Sequence, residues 1–188
     1  MNSKFIEMKY LIISDIHGAV TPLKQALSYF ELWNCDYLII LGDILYHGPR
    51  NDLPESYAPK EIIPLLNDLN DRIIAVRGNC EAEVDQMVLD FPCLGEYSMI
   101  IDSDKKLFLT HGHHYNPNHL PSLGGLDVLM YGHTHLYQLE KKESIVYFNP
   151  GSISIPKGGN EATFGLWNNG ELSLHALHDG SILKHLLI

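Results

Sequence analysis

Five short segments of this 188-residue sequence carry carboxylate, imidazole or amide side chains, each soon after an apolar run. The segments read DIHG, LGD, RGNCE, THGHH and GHTH, and the candidate side chains in them are Asp15, His17, Asp43, Asn79, His111, His133 and His135. These groups are the nitrogen and oxygen ligands that borderline divalent metals accept. Each segment alone is a weak signal, but the five together predict a metal site.

Two of these segments repeat a spacing of two residues, Asp15 to His17 and His133 to His135. In an extended chain, residues i and i+2 point to the same side, so both side chains of a pair can reach one site. The neighbouring glycines allow the backbone to turn sharply and to approach a ligand closely. We therefore expect each pair to act together at the predicted metal site.

The apolar runs in the first half of the chain predict buried parallel strands at 9–14, 36–41 and 72–76. Ligands bind beyond the carboxyl ends of strands in open α/β sheets, so the candidate side chains should meet at one edge. The strands alternate with helical patterns, and we expect three helices between and after them. The residues that mark these helices are Thr21 as a cap before Pro22, Pro59 as a start with Pro64 as a kink or break, and a stripe of Val84, Met87, Val88 and Phe91.

The second half is richer in strands, with the runs YSMIID, KLFLT, LDVLMY, SIVYFN, TFGLWN and ELSLHAL. Turn signals at Asn169-Gly170 and Asp179-Gly180 separate some of them, which predicts an antiparallel, strand-rich second half. We expect an α/β domain of two facing sheets with helices outside. The length suits a single domain over residues 1–188, with 1–7 as an N-terminal extension and Met8 as an alternative first residue.

The composition is 45% hydrophobic and 19% charged, which is typical of a globular protein. No apolar run approaches the roughly 20 residues of a membrane helix, and the first residues lack a signal-peptide pattern. Thirteen basic against 23 acidic residues give a net charge of -10, which argues against a surface for long nucleic acid. Three cysteines without a pairing pattern predict a reduced, cytoplasmic setting.

The order D-x-H, G-D, G-N-x-[DE], H-G and G-H-T-H resembles the calcineurin-like metallophosphoesterase superfamily. Within it, the size of the chain and the segments HGPRN, RGNCE and NPGS are similar to the compact bacterial phosphodiesterases of the YfcE type. The resemblance implies a four-layer α/β/β/α sandwich of two facing mixed sheets and two divalent metal ions. It points to manganese, while the ligand types leave zinc, iron and nickel open.

The resemblance also implies a role for each ligand. In the order first metal, bridge and second metal, the ligands are Asp15, His17 and His135; Asp43; and Asn79, His111 and His133. A hydroxide held between two such metals would attack phosphorus, while the ions neutralise charge on the phosphoryl oxygens. Asn79 and His111 would then lie on the phosphate or leaving-group side, and the Asn79 amide could also donate to a phosphate oxygen.

Cys80 stands where most of the superfamily has a histidine that protonates the leaving oxygen or grips the phosphate. A thiol with a pKa of about 8.5 is a poor replacement acid and hydrogen-bonds weakly. We favour a small residue that fills space near the site and is not essential. The alternatives are a weak acid or substrate contact, and a nucleophile or metal ligand. Without a strong acid, esters with good leaving groups are expected to react best, and the family resemblance points to phosphodiesters over monoesters.

Other residues near these motifs have two interpretations each. His47 and Arg50 in YHGPRND are candidates for substrate contact, Arg50 through a bidentate fork, but loop packing explains Arg50 equally well. Asn149 and Ser152 in NPGS either hydrogen-bond metal ligands or only form a turn. Lys157 does not belong to a P-loop, because GSISIPKGG lacks the G-x-x-x-x-G-K-[ST] order.

These features predict a metal-dependent phosphodiesterase that acts on small phosphodiesters, without a membrane or a long nucleic acid as partner. Apolar edges expected in the second half are compatible with a homo-oligomer. The alternatives are a phosphomonoesterase or a nuclease of the same fold, and a non-catalytic protein-binding scaffold. The scaffold is disfavoured because all seven ligand positions carry competent ligands.

Overall fold

The computed structural model describes residues 8–102 and 104–188, so the expected extension at 1–7 lies outside the described residues. In chain order the elements are β1 (Lys9–Ile13), α1 (Val20–Leu32), β2 (Tyr37–Ile40), α2 (Pro59–Asn67), a 3-10 turn (Asn70–Arg72), β3 (Ile73–Ala75), α3 (Glu83–Gln86), β4 (Tyr97–Asp102), β5 (Lys105–Thr110), β6 (Val128–Met130), β7 (Gln138–Lys142), β8 (Ile145–Asn149), β9 (Thr163–Asn168), β10 (Glu171–Ala176) and β11 (Ile182–Leu187). Within the described part of the chain, no helix is long and apolar enough to cross a bilayer.

The described strands form two mixed sheets, which confirms the expected pair of facing sheets. The first sheet has the order β11-β10-β9-β1-β2-β3, and the second has the order β4-β5-β6-β8-β7. The expectation of an antiparallel second half is wrong for the centre of the second sheet, where β5, β6 and β8 pair in parallel. The long connections between these strands are what parallel pairing requires, because a tight hairpin can join only antiparallel strands.

Each central strand buries both of its faces, because the first sheet is packed on both sides. On β1, Ile12 points to the other sheet and contributes to a core with Met130 and Phe148. Its neighbours Leu11 and Ile13 point the opposite way, into a second core with α1 and α2. This double burial explains why the strand appears in the sequence as a continuous apolar run.

The outer face of the second sheet is covered differently from the outer face of the first. Helices α1 and α2 pack on the first sheet. Residues 111–127, all of them described, contain no helix and cover the second sheet as an irregular segment. The sequence of this segment opposes a helix, since it contains two prolines and a Gly-Gly pair.

Two helix boundaries differ from the sequence expectations. Helix α1 begins at Val20, and its first amides donate to Ser56 from another loop, so Thr21 is not the cap. Helix α2 is not split by Pro64 and continues to Asn67. The carbonyl that Pro64 leaves without a donor belongs to Lys60, which is exposed, so water can satisfy it.

The third expected helix is largely absent. Helix α3 has four residues, and the expected buried stripe is wrong at its first members, since Val84 is 61% exposed and Met87 is 82% exposed. Only Phe91 at the end of the stripe is fully buried. A single turn is too short to place residues from three successive turns on one core face.

Sequence analysis missed β7 and β11. Both are edge strands, β7 of the second sheet and β11 of the first. Edge strands tolerate charged side chains, so the apolar signal is weak in β7, which reads QLEKK. In β11, which reads ILKHLL, Lys184 and His185 interrupt the apolar run, so it is neither continuous nor alternating. The turn signals nearby are confirmed as left-handed turns, with φ of 48° at Asn169 and 79° at Gly170 between β9 and β10.

A substitution at Gly165 tests the packing between the sheets. A methyl group there would lie 3.3 Å from Cβ of Ile12 and against the ring of Phe148, with no flexible side chain to give way. We expect Gly165→Ala to lower the free energy of unfolding by about 1–3 kcal/mol, the usual cost of overpacking, as measured by urea denaturation. Gly124→Ala is the matched control, because nothing lies within 4 Å of its new methyl group. Equal stability of the two variants would contradict this packing.

Candidate metal centre

The seven candidate ligands follow the ends of five strands and meet at one end of the sandwich. Asp15 and His17 follow β1, Asp43 follows β2, and Asn79 follows β3, all in the first sheet. From the second sheet, the ligands are His111 after β5 and His133 and His135 after β6. The structure therefore brings together all the residues that the sequence singled out as metal ligands.

Five of these seven residues have a left-handed backbone, which sequence analysis did not foresee. The φ angles are 54° at Asp15, 48° at His17, 57° at Asp43, 69° at His133 and 59° at His135. The explanation of the two-residue spacing by an extended chain is therefore wrong, although both members of each pair do reach the site. Such conformations cost of order 1–3 kcal/mol each and persist only where the surrounding structure enforces them.

Asp15 has one carboxylate oxygen satisfied by the protein and one without a donor. Oδ2 accepts hydrogen bonds from Ser14 Oγ at 2.8 Å and from the His133 amide at 3.0 Å. Oδ1 is buried and has no hydrogen-bond partner within the described residues. It lies 3.3 Å from His135 Nε2 and 3.7 Å from His17 Nε2. A fully buried carboxylate oxygen in this position is costly unless a cation or donor occupies the space beside it.

The two histidines beside Asp15 point unshared electron pairs at the same space. Nδ1 of His17 lies 2.9 Å from the Tyr46 carbonyl, and Nδ1 of His135 lies 2.6 Å from the Ile155 carbonyl. Since a carbonyl only accepts, each Nδ1 carries the proton and each Nε2 in the neutral ring is a lone-pair donor. The two Nε2 atoms are 3.2 Å apart. Asp15, His17 and His135 therefore fit a divalent cation between them.

Asp43 lies between the cluster of Asp15, His17 and His135 and a second cluster around His111. Its Oδ2 lies 3.6 Å from His17 Nε2 and 3.4 Å from His111 Nε2, while Oδ1 accepts the Cys80 amide at 2.9 Å. One oxygen is thus fixed by the backbone and the other faces both clusters. This is the position that a bridging carboxylate needs.

The second cluster is built around His111. Its Nδ1 lies 2.7 Å from the Leu41 carbonyl, so its Nε2 also faces the site as a lone-pair donor. That Nε2 lies 3.2 Å from Asn79 Oδ1 and 3.3 Å from His133 Nδ1. Together with Asp43, these atoms form a second set of nitrogen and oxygen donors that fits a divalent cation.

The electrostatics of the site favour charged carboxylates. Burial alone would raise the pKa of Asp15, but its interactions with His17, His111 and His135 outweigh burial and hold the pKa below its ordinary value. Burial would lower the pKa of His111, but the hydrogen bond to Asp43 and the negative charges nearby raise it to about 9. In the protein without cations, a proton thus takes the place of a metal on the His111 imidazole, and metal binding must displace it.

Cys80 lies against the bridge without the properties of a nucleophile. Burial, followed by the charge of Asp43, raises the pKa of the Cys80 thiol far above its ordinary value, so the thiol stays protonated. Its Sγ lies 3.2 Å from Asn79 Nδ2. The ligand atoms of Cys80, His17 and Asp43 lie within 4.8 Å of one another, so the geometry is compatible with the ligand alternative.

Glu81 is a residue whose part in the site sequence analysis did not assign. Its buried carboxylate accepts the backbone amides of Asp43 at 2.9 Å, Ile44 at 2.7 Å and Gly78. Burial and then the charge of Asp43 raise the pKa of Glu81 to about 7. The side chain fixes the loop of Asp43 to the loop of Asn79. The acid of the G-N-x-[DE] motif was the available signal.

Asn149 and Ser152 hold the backbone around the ligands and do not contact the ligand side chains. Asn149 Nδ2 donates to the Gly132 carbonyl at 2.9 Å, and its Oδ1 accepts the Gly151 amide in a turn. Ser152 Oγ donates to the Asp15 carbonyl at 2.7 Å. Both expected roles are thus partly present, since these residues form the turn and also brace two ligand loops.

Two glycines are required by close approach at the site. A methyl group on Gly132 would collide with Ser14 Oγ and lie 2.9 Å from Asp15 Oδ2. A methyl group on Gly78 would collide with the side chain and amide of Asp43. The glycines of the G-N and G-H segments therefore make room for the carboxylates of other strands.

An open cleft of about 390 Å³ leads to the ligands. Arg50, Asn79, Cys80 and Lys157 line it together with the ligand histidines of the GHTH segment. His47 does not line this cleft, because its ring packs edge-on against Tyr46 and Tyr57. Arg50 is thus placed where it can meet a substrate, and Lys157 joins it without having been assigned a role from the sequence.

A larger cavity lies away from the ligands. It has a volume of about 740 Å³ and lies on the outer face of the second sheet, beside Tyr97, Phe108 and Tyr115. None of the seven candidate ligands lines it. A choice of the functional site by cavity volume alone would therefore select this cavity. The candidate ligands favour the smaller cleft instead.

Comparison with known proteins gives consistent matches over most of the chain. The family model for the calcineurin-like phosphoesterase superfamily domain matches residues 8–170. Phosphodiesterase YfcE of Escherichia coli K12 is 49% identical over 181 residues, covering 96% of this chain and 98% of the relative. Phosphodiesterase MJ0936 of Methanocaldococcus jannaschii is 30% identical, covering 77% of this chain and 83% of the relative.

Solved structures agree with these matches. The structure of YfcE from E. coli superposes with a TM-score of 0.93, covering 96% of this chain and all of that chain. The structure of vacuolar protein sorting 29 from Cryptosporidium parvum gives a TM-score of 0.64 at 18% identity, covering 97% and 99% of the two chains, which shows a shared fold alone.

Replacing the bridging carboxylate tests the site without reference to activity. We expect chelator-stripped protein to bind two manganese ions per chain, and Asp43→Asn to lose both, because the amide cannot neutralise two cations. At a metal concentration 100-fold above Kd, the wild type should gain about 2.7 kcal/mol of stability for each bound ion, which the variant lacks. Metal content and thermal unfolding measure this, and Asp104→Asn, in an exposed turn with a φ of 61° that asparagine tolerates, is the matched control. Two bound ions in Asp43→Asn would refute the assignment.

Proposed function

The chain belongs to the calcineurin-like phosphoesterase superfamily, and on that premise we propose that it is a metal-dependent phosphodiesterase acting on small phosphodiesters. The observation that carries this proposal is the convergence of electron-pair donors. Asp15 Oδ1 has no hydrogen-bond partner among the described residues, and the Nε2 atoms of His17 and His135 are only 3.2 Å apart. Such a group is unfavourable without a cation or a proton between its members. The relatives named phosphodiesterases in the comparisons give the reaction class.

We assign two divalent ions to the site, with Asp43 as the bridge. The first is held by Asp15, His17 and His135, and the second by Asn79, His111 and His133. Bound there, the two ions would supply a nucleophile at neutral pH and neutralise charge on the phosphoryl oxygens. We propose manganese as the usual ion; zinc, iron and nickel suit the same nitrogen and oxygen donors.

The protein's own groups then orient the phosphate. Arg50 and Lys157 are exposed cations on the cleft wall and can pair with phosphate oxygens in an otherwise acidic protein. The NH₂ group of Asn79 faces the same cleft and can donate to a phosphate oxygen while its carbonyl ligates. For His111, which is fully buried and does not line the cleft, we propose a role on the phosphate side only through the second ion.

The absence of a strong general acid restricts the leaving groups with which a substrate can react. Cys80 occupies the position of the acid expected from the superfamily, and its raised pKa makes it a poor proton donor. A substrate whose leaving group needs no protonation is therefore favoured. The relatives named phosphodiesterases support diesters over monoesters.

The setting of the enzyme is also a proposal. We place it in the cytoplasm, since Cys35, Cys80 and Cys93 are unpaired.

We treat residues 8–188 as one domain, because β9 from the last third pairs with β1 in the centre of the first sheet. Tyr97, Met99 and Ile101 of the edge strand β4 are exposed and are compatible with a homo-oligomer.

Hydrolysis of bis-p-nitrophenyl phosphate beside p-nitrophenyl phosphate tests the function. With protein stripped by chelator and given manganese, we expect diester turnover that returns only with metal and exceeds monoester turnover. Asp43→Asn should lose more than about 100-fold of this rate, since even residues that only support a ligand cost 10- to 100-fold. Monoester preference would favour the phosphomonoesterase alternative. Silence on both substrates across several metals would favour the scaffold.

Substitution of Cys80 tests its part in the reaction. We expect Cys80→Ser to keep metal binding and to lose less than about tenfold in diester kcat, because a general acid would contribute about 100- to 10,000-fold. Cys80→Ala, which removes the weak donor as well, should behave alike. A fall to background in both variants with metal content unchanged would give Cys80 a direct catalytic role.

A further inference from the structure

A second concave surface begins where the metal cleft ends. It is a groove of about 340 Å³, and its walls include Leu45, Tyr46, Tyr57 and Val84. Cys80 lines both this groove and the cleft. Its amide is bonded to the bridging carboxylate of Asp43 at 2.9 Å, so the groove starts beside the proposed reacting centre.

The groove exposes apolar surface that the fold does not use. Val84 is 61% exposed and Tyr46 is 42% exposed, although both are large apolar side chains. Single exposed apolar residues are ordinary, but here they share one concave wall of ligand-binding size. Asp85 is the charged residue among those that line the groove, and its carboxylate accepts the Ala82 amide at 2.7 Å.

The aromatic part of the groove is held in place before any ligand arrives. The ring of His47 packs edge-on against Tyr46, with ring centres 4.7 Å apart, and against Tyr57, with centres 5.4 Å apart. Fixed rings lose little conformational entropy when a flat ligand packs against them, so their contact area contributes to affinity. This packing also gives a reason for the position of His47 away from the cleft.

The division of charge between the two surfaces points to the kind of ligand. The cations Arg50 and Lys157 line the cleft and not the groove. A molecule bound across Cys80 would therefore have its charged phosphate in the cleft and an apolar, flat part in the groove. The neutral thiol between them suits this boundary, since it is small and weakly polar.

We propose that the groove binds an aromatic group esterified to the phosphate, so that the preferred substrates are phosphodiesters with an aromatic ester group. This inference rests on the proposed function, because it assumes that a phosphate occupies the metal cleft. It adds a specificity site formed by Tyr46, Tyr57 and Val84 to the catalytic residues.

Binding of two phosphonates to the manganese-loaded protein tests the groove without turnover. Benzylphosphonate has the shape of a phenyl phosphate but cannot be hydrolysed at its P–C bond, and methylphosphonate lacks the ring. By calorimetry we expect benzylphosphonate to bind about tenfold more tightly, the lower range for filling an apolar pocket. Val84→Gln and Tyr46→Ala should each remove most of this preference, and Val84→Gln should leave the affinity for methylphosphonate unchanged.

Met87→Gln is the matched control, because Met87 is 82% exposed, follows α3 directly and does not line the groove. It should keep the preference of the wild type. Equal affinity of the wild type for both phosphonates, or an unchanged preference in Val84→Gln and Tyr46→Ala, would overturn the groove. A preference that depends on Val84 in a protein that hydrolyses no diester would support the groove and count against the proposed function.

Discussion

Electron-pair donors that converge on two small spaces are the constraint on which the structure depends. Lone pairs of His17 and His135 face each other at 3.2 Å, beside a buried oxygen of Asp15 that lacks a partner among the described residues. Without a cation or a proton between them, these donor atoms repel one another. The surrounding protein must therefore impose the arrangement, at a cost that binding of the cations offsets.

Hydrogen bonds to the backbone hold the candidate ligands in this arrangement. Three ligand histidines donate their Nδ1 protons to main-chain carbonyls, and Asp43 accepts a main-chain amide. Glu81 and Ser152 in turn fix the loops from which these ligands project. The sandwich supplies the frame, because parallel strands β1, β2 and β3 in one sheet and β5 and β6 in the other end at the same side. Each ligand position is thus set by a buried strand and a short, braced turn.

Much of this was predictable from the sequence, and the failures have physical causes. Buried strands such as β1 and β6 are continuous apolar runs, and a ligand follows each, so periodicity and motif order found both. The edge strand β7 is mostly polar, and the apolar residues of the edge strand β11 are interrupted by Lys184 and His185, so neither gives a continuous apolar run. The stripe from Val84 to Phe91 has helical spacing, but the chain leaves the helix after one turn. Left-handed angles at Asp15 and His133 are imposed by contacts between distant segments, which a local pattern does not contain.

Tyr46 belongs both to the surroundings of the candidate metal site and to the groove. Its carbonyl accepts the proton of His17, while its ring forms a wall of the groove. A ligand in the groove would therefore contact the same residue that orients the His17 imidazole toward the proposed first ion. Any effect of that ion on the affinity of the groove would be matched by an equal effect of the groove ligand on the affinity for the ion. Such coupling would link metal occupancy and substrate choice through one residue, so that a change in metal supply would alter selectivity as well as rate.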